Sequence, residues 1–300
     1  MRRSTALIAV VVSSACFATL AVLARLAYAE GGRPLPLLTW RFAVAAAVMA
    51  TFLALRQRSA LVAGVRDIPR YALLSLTGYG AASICFFFAL RHLSASVGTL
   101  LLYAYPAIVA VIESVLDHQR LPVSRVVAVA LTFAGCAFAA GLLDSAVVVN
   151  VPGVLLALGA ASAYALFTLL SSRLIADRSR LVLMTYTFGI SAIGIGVVTL
   201  LAGESLVPTG WTPQLWLILG LMVLLPTYAA VVLFLSGIRA LGPSRASLIS
   251  TMEPVFTVAL AGVVLGERMT ATQWAGALLV IAGIALAERP RGVVEVPAAV

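Results

Sequence analysis

Apolar runs of about 20 residues follow one another almost without interruption along the 300-residue chain. Each is long enough to cross a hydrocarbon core roughly 30 Å thick at 1.5 Å per residue. A backbone in hydrocarbon must satisfy its own polar groups, so runs of this length read as membrane helices. They place spans at Thr5 to Ala29, Leu35 to Leu55, Tyr71 to Leu90, Ala95 to Val115 and Val123 to Leu143. Five more follow at Val151 to Leu174, Leu181 to Ala202, Leu215 to Ile238, Ser244 to Leu265 and Ala271 to Ala287. The expectation is an all-α polytopic membrane protein of ten transmembrane helices. Composition agrees, because 62% of residues are hydrophobic and only 10% are charged, against about 25% charged in soluble domains.

The net charge of +9 would fit nucleic acid only if it lay on one face, and it does not. Arg2 and Arg3 precede the first span; Arg56, Arg58, Arg66 and Arg70 lie between the second and third; Arg173, Arg178 and Arg180 follow the sixth; Arg289 and Arg291 follow the tenth. The opposite loops hold little more than Arg33, Arg91 and Arg268. Cationic loops stay in the cytoplasm, so both termini are expected inside a bacterial-type inner membrane. Two arginines before an apolar run, with Ala27-Tyr28-Ala29 at its end, have the look of a signal peptide. The run is longer than the usual apolar core of such a peptide, and cleavage would remove a helix from the repeat described next.

Sliding the chain against itself by 148 residues aligns Ala89 to Ala139 with Gly237 to Ala287 without a gap, and about a quarter of the pairs are identical. Arg91 meets Arg239, Pro106 meets Pro254, Arg120 meets Arg268 and Gly135 meets Gly283. Five spans per repeat is an odd number, so the second repeat must enter the membrane opposite to the first. The expected units are a five-helix repeat at 1–146, an inverted one at 147–290 and a cytoplasmic tail at 291–300. Transporters built from inverted repeats hold their substrate near the midplane between the halves.

The chain contains no lysine, which removes a GxxxxGK[ST] nucleotide loop and any Schiff base on lysine. His92 and His118 stand at span ends without a second ligand at metal spacing, and Asp67, Asp117, Asp144 and Asp177 fall in loops or at span ends. Cys16, Cys85 and Cys136 lie inside apolar spans and imply no disulfide framework. No metal, no cofactor and no enzymatic constellation is expected.

Ionisable groups deep in a bilayer are costly and mark a pathway or a buried pair. Glu253 lies near the middle of the ninth span, beside Pro254, whose missing N–H frees the carbonyl of Ser250. It is either a site for a substrate amine or a coupling proton, or a structural partner of Arg41 or Arg25. Pro106 occupies the equivalent place in the fourth span and Pro226 bends the eighth; these prolines are either gating hinges or fixed bends. Tyr79, Tyr103, Tyr105, Tyr164, Tyr228 and Phe17 are candidates for a cavity wall, with Tyr103 and Tyr105 on different helix faces and at most one of them facing inward. Trp40 reads as an interface anchor. Arg41 is near enough to a span end to snorkel, and a structural role is expected of it. Small-residue spacings at Gly135, Gly262 and Gly283 permit close helix approach, within the chain or in a homodimer. The function expected from these features is secondary transport of small solutes; a non-transporting membrane scaffold or sensor is the alternative.

Met252-Glu253-Pro254-Val255-Phe256, then Leu265-Gly266-Glu267-Arg268-Met269-Thr270 and Gln273-Trp274-Ala275-Gly276 through Gly283, resemble the end of an EamA domain of the drug/metabolite transporter superfamily. The first half is similar at Tyr105-Pro106 and Gly135 and departs at Leu116-Asp117-His118-Gln119-Arg120, where that family often has Leu-Gly-Glu-Arg. Trp40-Arg41-Phe42 resembles the Arg-Phe of the family's second span. The resemblance implies two inverted five-helix halves and an inner-membrane permease working by alternating access, often an exporter of amino acids or related metabolites. One branch, the YddG-like exporters, handles aromatic amino acids.

Overall fold

A computed structural model describes residues 3–56, 58–59, 62, 65–116, 123–140, 149–174, 179–241, 249–250 and 252–287. Arg2, residues 117–120, Ser244, Arg289, Arg291, the 146/147 boundary and the 291–300 tail lie outside the described residues. Every regular element described is helical. Helix α1 (Arg3–Ala29) turns through Gly31 at φ +81° into α2 (Pro34–Arg56). Next, α3 (Val65–Ala89) carries a π-helical segment, Leu74–Tyr79. It is followed by α4 (Ala95–Leu102), α5 (Tyr105–Leu116) and α6 (Val123–Ala139). The second half holds α7 (Val151–Leu174), α8 (Arg180–Leu201), α9 (213–241), α10 (Glu253–Leu265) and α11 (Ala271–Ala287). Among the described residues, seven helical stretches are long and apolar enough to cross a membrane, while Val123–Ala139, Glu253–Leu265 and Ala271–Leu286 are apolar but shorter.

Caps explain several boundaries. The side chain of Ser94 accepts the N–H of Val97 at 3.2 Å to begin α4, and Thr212 accepts that of Leu215 at 3.1 Å, with Pro213 filling a position that needs no donor. In α9 a second π-helical segment, Leu224–Ala229, surrounds Pro226. Proline cannot bond the carbonyl of Met222 one turn back; the Thr227 hydroxyl does so instead at 2.9 Å. The two π segments stand 150 residues apart, in the third span of each half.

The packing repeats as the sequence does. Helix α1 lies on α9 and α7 on α3, α2 lies on α8, and α6 on α11; α10 packs on α1, as α4 and α5 pack on α7. Exchanging the halves maps each of these pairings onto itself or onto another of the set. The α6–α11 seam shows the symmetry at atomic level. A Cβ on Gly135 would fall 2.7 Å from both the Gly276 carbonyl oxygen and the Val280 amide nitrogen. One on Gly283 would fall 2.8 Å from the Ala128 carbonyl oxygen and 2.9 Å from the Thr132 amide nitrogen. Subtracting 148 turns Gly283, Gly276 and Val280 into Gly135, Ala128 and Thr132, so the contact is self-complementary and its helices run antiparallel. The small residues of this seam therefore serve packing within the chain.

Because backbone lies against backbone there, Gly276→Ala or Gly283→Ala is expected to cost about 1–3 kcal/mol. Gly220→Ala, where a Cβ meets nothing within 4 Å, is expected to change stability by less than ~0.5 kcal/mol. Unfolding curves of the detergent-solubilised protein check both.

Candidate functional site

The fourth span is two helices, not one kinked helix. Helix α4 ends at Leu102, Tyr103 and Ala104 form a turn, and α5 starts at Tyr105 with Pro106 in its first turn. The ninth is interrupted likewise: residues 249–250 are helical, Met252 is in a turn, and α10 starts at Glu253 with Pro254 in its first turn. Both prolines thus begin a half-helix, where a missing N–H costs least.

Beside these breaks lies a cavity of about 280 Å³, at the small end of the roughly 300–1,000 Å³ of ligand pockets. That size favours a small solute. Phe17 and Leu20 enter it from α1, Arg41 from α2, Tyr79, Ser83, Phe86 and Phe87 from α3. Leu102, Tyr103 and Tyr105 come from the first break, Tyr164 from α7, Met184 from α8, Val231 and Phe234 from α9, and Ser250 and Glu253 from the second. Both halves therefore build the wall.

Tyr103 and Tyr105 both face inward, contrary to expectation, with ring centroids 6.0 Å apart. The opposite-face rule holds along a continuous helix, and here the chain breaks between them. Tyr105 meets Tyr164 edge-on at 4.8 Å, Tyr164 meets Tyr79 at 6.2 Å, and Tyr79 meets Phe42 and Phe188 at 5.8 and 5.6 Å. An aromatic wall results. Tyr228 packs against the hydrophobic core and is not among the residues lining this cavity. Pro106, Pro226 and Pro254 are likewise not among the lining residues. Trp40 also stands outside the lining; its indole N–H donates to the Leu206 carbonyl at 2.9 Å and its ring meets Trp216 edge-on.

Neither arginine pairs with Glu253. The Tyr103 hydroxyl donates to the Glu253 carboxylate, which also sits in the first turn of α10, where the helix dipole favours an anion. Arg25 donates to the Leu90 carbonyl at 2.9 Å. Arg41 does not snorkel: it is 2% exposed. Its guanidinium donates to the Thr227 hydroxyl at 3.2 Å and to the Tyr79 hydroxyl, and lies 5.1 and 5.8 Å from the centroids of Phe42 and Phe87. Thr227 and Tyr79 belong to the two π segments, so both irregular turns present an oxygen to this cation. Among the described residues the only ion pair is Arg70–Asp67 at 3.4 Å. Sequence reasoning gave Arg41 a structural role and passed over Thr227; the signal for the latter was its place directly after Pro226.

The Leu265-Gly266-Glu267 stretch has a separate role. Gly266 caps α10 in the left-handed conformation at φ +66°, which favours glycine. The turn aims Glu267 at the start of α4, where its carboxylate accepts the N–H of Ala95 at 2.7 Å, the N–H of Ser96 at 3.1 Å and the Ser96 hydroxyl at 2.8 Å. One half thereby caps a helix of the other.

The sequence pattern of the EamA-like transporter family matches residues 4–141 and again residues 151–288. The uncharacterized transporter YyaM of Bacillus subtilis (strain 168) is 24% identical over 261 residues, 86% of this chain and 84% of its own. The uncharacterized transporter YwfM of the same organism is 31% identical over 206 residues, 66% of each chain. A solved crystal structure superposes with a TM-score of 0.64 at 21% identity, covering 95% of this chain and 97% of the other, and shares the fold.

Replacing Glu267 with Ala leaves two amides of α4 without their charged acceptor. This is expected to lower stability by about 1–3 kcal/mol, with Glu267→Gln losing less. Hydrogen exchange at Ala95 and Ser96 should quicken at least ~10-fold in the Ala variant.

Proposed function

The chain belongs to the EamA-like transporter family, and from that membership we propose that it moves small metabolites across the membrane by alternating access. Amino acids and related compounds, aromatic ones among them, are the proposed cargo, carried as an exporter or exchanger. The observation that carries this reading is the cavity between the halves, where two broken spans meet and the first π segment contributes Tyr79. Irregular backbone at membrane depth is tolerated where it lines such a cavity, and broken helices at a repeat interface are a recurring transporter design.

The proposed topology has ten crossings in two inverted halves, 1–146 and 147–290, with both termini and the 291–300 tail cytoplasmic. The alternating arginine loops support that orientation, and the antiparallel α6–α11 seam supports the inversion. Glu253, Ser250, Tyr79, Tyr103, Tyr105, Tyr164 and Phe17 form the proposed binding wall. Pro106, Pro254 and Pro226 set the places where the spans bend during gating. Glu253 carries the proposed coupling proton, being a carboxyl group part-buried at the cavity wall whose Tyr103 partner is neutral.

Purified protein alone in liposomes is expected to move members of an amino-acid panel, under a proton gradient or by exchange. Flux of none of them would sink the reading. Glu253→Gln is expected to abolish proton-driven accumulation while leaving exchange within ~10-fold of the parent; unchanged accumulation would remove Glu253 from coupling.

A further inference from the structure

We propose that Arg41 is the anion-binding group of the cavity and takes the carboxylate of a zwitterionic solute whose ammonium faces Glu253. This rests on the transport reading above and specifies its substrate class. The guanidinium is a permanent charge that is 2% exposed on the wall of a cavity. A buried cation is ordinarily held by a carboxylate. Among the described residues none lies within ion-pair distance of Arg41. Its partners are two neutral hydroxyls and two ring faces, and its Nε has no acceptor. Oxygen and π contacts hold the group in place and leave its charge uncompensated. A fork of planar donors with open capacity is the geometry that receives a carboxylate.

The repeat shows that this charge was not placed by symmetry. The 148-residue shift sets Tyr105 opposite Glu253, and the second span of the second half, residues 181–202, holds no charged residue to answer Arg41. Each half contributes one charge that the other lacks, and both charges open on the same space. The cavity is therefore polarised, cationic toward α2 and anionic toward the start of α10, with tyrosine and phenylalanine rings between. A solute bearing one carboxylate, one ammonium and an apolar or aromatic body matches all three parts.

The proposal is tested by thermal stabilisation of the whole purified protein with L-phenylalanine, phenethylamine, which lacks the carboxylate, and 3-phenylpropanoate, which lacks the amine. The leucine series, L-leucine, isopentylamine and 4-methylpentanoate, is run alongside. The parent is expected to bind an amino acid about 10- to 100-fold more tightly than the matching amine. Arg41→Gln should bring that ratio to within ~3-fold of unity while the smaller penalty for removing the amine persists, and Arg41→Lys should restore part of it. A structural arginine would lower binding of all ligands together and leave the ratio alone, so an unchanged ratio in Arg41→Gln overturns the proposal. A parent that binds none of the carboxylates, or binds amines as well as amino acids, overturns it without any variant. This second readout decides the matter if Arg41→Gln does not fold. Binding is read here without flux, so absent flux counts against transport alone.

Discussion

A backbone in hydrocarbon has no water to bond, and each amide or carbonyl left alone there costs several kcal/mol. That single cost makes every described element helical, and it decides where the helices are allowed to fail. They fail at Tyr103–Ala104, before Glu253, and in the two π segments. Each irregular place is repaired locally or opens on the cavity: the Thr227 hydroxyl takes the carbonyl that Pro226 abandons, and the turn at Tyr103–Ala104 presents Tyr103 and, just after it, Tyr105 to the cavity wall.

The all-helical apolar build, the repeat and the equivalence of Pro106 with Pro254 were legible in the sequence because apolar length and proline chemistry act locally. The nature of the breaks was not. A proline inside an apolar run signals lost hydrogen bonding, but whether the chain kinks or restarts depends on neighbouring helices filling the gap, and α10 restarts while packed against α1 and α4. The rule that residues two apart on a helix point away from each other misplaced Tyr103 and Tyr105 for that reason. For Arg41 the distance from the span end left snorkelling open, and only the packing decides: Phe42, Phe87, Tyr79 and Thr227 enclose it from three helices.

Symmetry and its violation divide the labour. Packing repeats across the halves, with α1 on α9 answered by α7 on α3, so the scaffold is specified twice by similar residues. The chemistry is specified once. Glu253 and Glu267 face Tyr105 and Gln119 in the aligned repeat, Arg41 has no charged counterpart in residues 181–202, and each of the three acts across the boundary between halves or on the cavity they share. A duplicated frame with unduplicated charges gives the two ends of one cavity different characters, which two identical halves could not do.

The seam between α6 and α11 carries a consequence for register. Because Gly135 meets Gly276 and Val280 while Gly283 meets Ala128 and Thr132, each helix supplies both a glycine notch and the backbone that fills the notch of the other. Sliding one helix along the other would open both contacts at once, so the seam locks the alignment of the two helices at two places with a single kind of contact.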